Sequence, residues 1–131
     1  MTDEKLLEEL REATRGLTMM SESDYPFEVF RWGGAEPSED FLRGLTGEAA
    51  DAPVETRNAA DFFRVAASEA EWKNAEQLAD ARRFQTLLRV LEEHLEDVRV
   101  YRVGSVNIPV YVAGRAASGE WLGVSTRVVE T

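Results

Sequence analysis

With 131 residues, 44% of them hydrophobic, the chain has material for one domain with one core and not for two. It has no cysteine and a single histidine, His94, which removes disulfides, thiolate catalysis, cysteine zinc sites and the usual histidine-based triads. Fifteen Lys and Arg against 25 Asp and Glu give a net charge of −10, which argues against bare nucleic acid or an anionic membrane and for a cationic partner.

Residues 3–15 hold Leu6, Leu7, Leu10 and Ala13 at a helical spacing that Leu17 continues, with acids in the first turn, Arg15 in the last and Gly16 just beyond. That pattern predicts an amphipathic helix docked on the core. The stretch 21–32, Ser-Glu-Ser-Asp-Tyr-Pro-Phe-Glu-Val-Phe-Arg-Trp, then changes period from helix to strand. Pro26 fixes its own φ and biases Tyr25 away from helix, so 21–24 reads as a polar turn at the mouth of a strand. From residue 27 the pattern alternates: Phe27 and Val29 face one way with Arg31, and Phe30 and Trp32 face the other with Glu28. Apolar residues on both sides predict an interior strand over 27–32, covered on each face.

Ser38-Glu39-Asp40 predicts the cap of a short helix burying Phe41, Leu42 and Leu45 before Gly47. After a surface loop over 46–52, residues 51–55 form a short extended piece. Asn58 with Asp61 caps a helix burying Phe62, Phe63 and Val65. Ser68-Glu69-Ala70-Glu71 reads as a Ser-x-x-Glu capping box with Trp72 just inside the helix it starts. Over 75–95 the apolar positions Leu78, Ala81, Phe84, Leu88, Leu91 and Leu95 predict the main core helix. The last third is β-branched and aromatic: runs at 98–103, 106–113 and 121–130, separated by Gly104-Ser105 and by 114–119, predict an antiparallel meander. Pro109 has no N–H for a ladder, so its strand is an edge there or turns the missing donor outward. The sum is an α+β domain with a mostly antiparallel sheet of about four strands, the 27–32 strand among them, and helices packed on it.

Charge is uneven, with twelve acids and five bases in residues 1–48, so the acidic face belongs to the N-terminal third. No basic leader precedes an apolar run and no window approaches the ~20 apolar residues of a membrane helix, which predicts a soluble, cytoplasmic protein. Gly33-Gly34 lacks the lysine and helix of a phosphate loop, and His94 near a helix end suits the helix dipole and is assigned no function. Glu22 and Asp24 form a carboxylate pair with no third ligand nearby, so no intrinsic metal site is expected. Taken alone, the turn at Glu22 has a bland reading as a helix-to-strand connection rich in turn formers and a functional one as a rigidly mounted acid. Trp72, amid Glu, Lys and Asn, reads equally as a binding hot spot or as a core tryptophan under a loop. The run Val128-Val129-Glu130-Thr131 places the last residue one step beyond a core strand, which reads as a positioned anion or, as for most structured termini, as an end with no function of its own.

Three segments together resemble the nuclease A inhibitor family of bacterial proteins: Gly16-Leu17 through Met20-Ser21-Glu22-Ser23-Asp24-Tyr25-Pro26-Phe27-Glu28-Val29-Phe30, the Trp72 region, and Gly123-Val124-Ser125-Thr126-Arg127-Val128-Val129-Glu130-Thr131. The likeness extends to Asp51-Ala52-Pro53, Phe62-Phe63, Phe84-Gln85, Val100-Tyr101-Arg102 and Val110-Tyr111-Val112, nearly end to end. The resemblance implies one domain over 1–131, an α/β/α sandwich with helices on both faces of its sheet. Its implied function is not catalytic: it caps the active site of a sugar-nonspecific, magnesium-dependent DNA/RNA endonuclease. The implied contact residues are Glu22, Glu71, Trp72 and Thr131, the last reaching the nuclease's magnesium where the scissile phosphate stands. No cofactor, no direct nucleic acid and no membrane is implied, and the free protein is expected to be a monomer. Lys73-Asn74 after Trp72 departs from the more acidic pattern of the family, and the loop 33–40 also differs in composition. The alternative is an acidic binding module of the same fold with a basic, non-nuclease partner; an enzyme working through Glu22 and Asp24 is the remote third.

Overall fold

Helix α1 (Asp3–Thr14) starts where the Thr2 hydroxyl accepts from the Lys5 N–H at 3.2 Å, and it buries Leu6, Leu7 and Leu10. The structure is a computed structural model that describes residues 2–19, 23–49 and 51–130. At the foot of α1, the Asp3 carboxylate takes the Ser118 hydroxyl at 2.7 Å and the Arg31 guanidinium at 3.3 Å. Arg31 also meets Glu4 and Glu120, and the Glu120 hydrogen bond raises the guanidinium pKa further above its ordinary value.

Two short strands follow, β1 (Thr18–Met19) and β2 (Tyr25–Pro26), paired antiparallel as Thr18↔Pro26 and Met19↔Tyr25. Next comes β3 (Glu28–Gly33), then α2 (Glu39–Thr46), β4 (Val54–Asn58), α3 (Ala59–Phe63) and α4 (Ala75–His94). The meander β5 (Glu96–Val103), β6 (Asn107–Arg115) and β7 (Trp121–Val129) completes a five-stranded antiparallel sheet in the order β3-β7-β6-β5-β4. The α+β class and the antiparallel meander are as the sequence predicts, with one strand more than expected because the extended piece at 54–58 pairs with β5.

One expectation is corrected. The strand at 27–32 is not interior: β3 is an edge strand, paired with β7 alone from Glu28↔Ser125 to Gly33↔Trp121. Its two-sided apolar pattern reports covered faces, not hydrogen-bonded neighbours. Phe27 and Val29 join the large cluster of α1, α3 and α4, whereas Phe30 stacks on Trp32 at 4.2 Å in a second cluster. Side chains alternate across a strand, so the clusters occupy opposite faces of the sheet. Val100, Val110, Val112 and Val124 face the three-helix side; Tyr101, Val103, Ala113 and Trp121 face Leu42 of α2. Pro109 is interior in sheet order, but the β5 ladder stops at Arg102↔Val110 while Pro109 still pairs with Arg127 of β7, so β6 is locally an edge there.

The helix caps also divide. Ser38 and Asn58 cap α2 and α3 as expected, and Gly47 ends α2 at φ 72. Of the residues expected to be buried by these helices, Leu42 and Phe63 are buried, but Phe41, Leu45 and Val65 are exposed. The capping box of the long helix is Asn74 with Gln77, at 2.8 and 2.9 Å, not Ser68 with Glu71; residues 64–74 are turns and loop. Asn74→Ala should therefore lower stability by about 1 kcal/mol and Ser68→Ala by almost nothing, as read in urea unfolding midpoints. On α4 the buried residues are Ala81, Phe84, Leu87 and Leu91, so Leu87 takes the core position that the sequence reading gave to the half-buried Leu88.

Candidate functional site

The loop 64–74 that carries Glu71 and Trp72 is braced from three directions. Lys73 Nζ donates to the carbonyls of Val65 at 2.9 Å, Ala66 at 3.4 Å and Ser68 at 2.6 Å. Gln85 on α4 donates from its side-chain amide to the Ala67 carbonyl at 2.8 Å and to the Glu69 carboxylate at 3.3 Å. Arg82 adds a bond to Glu69 at 3.2 Å. The Gln85 hydrogen bond and then Arg82 hold the Glu69 carboxyl below its ordinary pKa.

On this frame Trp72 is 71% exposed and Glu71 is exposed beside it. The reading of Trp72 as a core residue is thus excluded. Its indole lies 5.5 Å from Lys73 Nζ, a surface cation–π contact. Val65, which the sequence places in a helix core, is 73% exposed on the same loop. Nothing in its local sequence distinguishes it from a buried valine. Lys73, a departure from the expected acidic pattern, spends its charge on three carbonyls. Lys73→Met should lower stability by about 1–2 kcal/mol and speed amide exchange of residues 64–73, with α4 unchanged in hydrogen-exchange mass spectrometry.

The other expected contacts, Glu22 and Thr131, lie outside the described residues. Their flanks are defined. The β1–β2 pair enters and leaves residues 20–24 at Met19 and Tyr25, and Thr126 of β7 donates its hydroxyl to the Tyr25 and Pro26 carbonyls at 3.3 and 3.0 Å. At the end of β7, the Glu130 N–H bonds the Val106 carbonyl at 2.9 Å.

The two flanks lie toward one end of the sheet, with Tyr25 and Pro26 beside Thr126 of β7. The pairs Glu96↔Arg115 and Arg115↔Trp121 define the opposite end, where β5 and β7 begin. Helix α4 delivers the chain there through Leu95, and its 20 residues span about 30 Å. Along the way Arg83 donates to the Ala13 and Arg15 carbonyls at 3.0 and 2.5 Å, fixing α4 to the end of α1 just before β1. Phe27, at the root of β3, meets Phe84 at 6.1 Å and Phe63 at 6.4 Å, the helices on either side of the loop.

Residues 4–131 match the family described as nuclease A inhibitor-like protein (NuiA). The chain belongs to this family. No curated protein matches it. Membership of this family implies a nuclease as the protein partner. Among the described residues, no group of three His, Asp or Glu side chains is arranged to hold a metal ion. Among the described residues, no helix is long and apolar enough to cross a membrane.

Proposed function

We propose that this chain caps the active site of a sugar-nonspecific, magnesium-dependent DNA/RNA endonuclease, acting by occupancy and not by catalysis. Membership of the family over residues 4–131 supports a nuclease inhibitor. The observation that carries the contact face is Trp72, 71% exposed on a loop braced by Lys73, Gln85 and Arg82. A tryptophan carried on a loop that is already braced by hydrogen bonds has less backbone freedom to lose on binding, which favours a hot spot. Glu22 and Glu71 then pair with cationic groups of the nuclease groove. Thr131 supplies oxygen ligands to a magnesium ion that prefers hard oxygen donors and keeps open positions for phosphate oxygens. A net charge of −10 steers the inhibitor to a basic groove, so association slows as salt rises.

The test compares protection of DNA from such nucleases by the intact protein, by Glu22→Ala and by a chain lacking Thr131. Strong protection by the intact chain and weaker protection by both variants is expected. Equal protection by all three would remove Glu22 and Thr131 from the contact face.

A further inference from the structure

Among the described residues Arg102 is the buried cation: it is 4% exposed, and its Nη2 meets the Glu130 carboxylate at 2.6 Å. Two residues beyond the core residue Val100 on β5, it points to the helix-covered face. Glu130 lies two residues beyond Val128 at the end of β7, and β6 separates the two strands. The guanidinium thus reaches across a full strand, roughly 4.8 Å per strand spacing, to grip the chain just past the sheet. Its Nε has no hydrogen-bond partner among the described residues.

Pairing a buried guanidinium with a half-exposed carboxylate adds little net stability, because the attraction must first offset the desolvation of the cation. What such a pair supplies is a defined place. Glu130, by contrast, is 55% exposed in its side chain and contributes little packing of its own. Its backbone N–H to Val106 is the second tie on the same residue.

We propose that Arg102 is a positioning residue: it holds Glu130 so that the end of β7 is presented to the nuclease in one place, an inference that rests on the inhibitor reading above. In the free full-length protein, Arg102→Met should lower the heteronuclear NOE of the Glu130 amide by about half, while that of Val128 holds. Glu130→Gln, which leaves the core intact, should loosen the same amide. Against a sugar-nonspecific magnesium nuclease, Arg102→Met should weaken inhibition about tenfold, and deleting Thr131 should cost less in that variant than in the intact chain, because the two changes act through one segment. An unchanged Glu130 NOE in both variants would overturn the proposal, as would a loosened Glu130 with unchanged inhibition. If the intact chain inhibits no nuclease while Glu130 loosens as stated, the inhibitor reading fails and the positioning by Arg102 stands.

Discussion

Replacing Trp72 by alanine is expected to weaken inhibition of the target nuclease by about 30- to 700-fold, the equivalent of losing roughly 2–4 kcal/mol at a hot spot. The same change should shift unfolding by less than about 1 kcal/mol, since at 71% exposure the indole gives up only the surface contact with Lys73. Separation of the two effects is the point of the experiment. A core tryptophan truncated to alanine costs about 3–5 kcal/mol of stability, and any loss of inhibition would follow from unfolding. Isothermal titration for affinity and urea unfolding for stability, on one preparation, distinguish a contact residue from a structural one. A Trp72→Ala protein that inhibits as well as the parent would move the contact face elsewhere.

Replacing Gly123 by alanine is expected to do the opposite, removing about 4 kcal/mol or more of stability, a large share of what a domain of this size has. Gly123 sits in β7 between Phe30 of β3 and Ala113 of β6. A Cβ built there runs into the Val112 carbonyl oxygen, with the Val112 carbonyl carbon at 2.9 Å and the Ala113 Cα at 3.1 Å. All of these are backbone atoms of a paired strand. A side-chain tip can swing aside, but a ladder carbonyl moves only by breaking its own hydrogen bonds in mid-sheet. Gly44 is the matched control. It lies within α2, nothing stands within 4 Å of its would-be Cβ, and Gly44→Ala should stabilise by about 0.5–1 kcal/mol. Both are read from the midpoint and slope of denaturant unfolding.

What the sequence made legible follows from which forces act locally. Periodicity located α1, α4 and the β5–β6–β7 meander because burial of one helical stripe or one strand face leaves a mark on spacing alone. It misplaced β3 in the sheet because Phe30 and Trp32 are covered by aromatic neighbours such as Tyr111 and Phe41, a tertiary arrangement that looks like interior burial in one dimension. Two capping boxes compete near Trp72, Ser68-x-x-Glu71 and Asn74-x-x-Gln77. Lys73 decides between them by drawing the Val65, Ala66 and Ser68 carbonyls onto one ammonium, which keeps 64–73 out of a helix.

For the candidate site, composition left Trp72 open between core and surface, and exposure settles that point. Arg102 could not have been singled out from its neighbours Arg99 and Arg115 without the fold. Burial is what separates it, because those two are partly or largely exposed. The resemblance carried by 16–30, the Trp72 region and 123–131 agrees with the family match over 4–131. Glu22 and Thr131 were named from that resemblance, and as both lie outside the described residues their roles rest on the variants proposed above.

The most direct measurement titrates a sugar-nonspecific, magnesium-dependent endonuclease with this protein at fixed DNA and low salt. Cleavage should fall in proportion to added protein and stop near one inhibitor per nuclease, with the titration weakening as salt is raised. Undiminished cleavage at about tenfold excess of the intact chain, across several such nucleases, would contradict nuclease inhibition as its function.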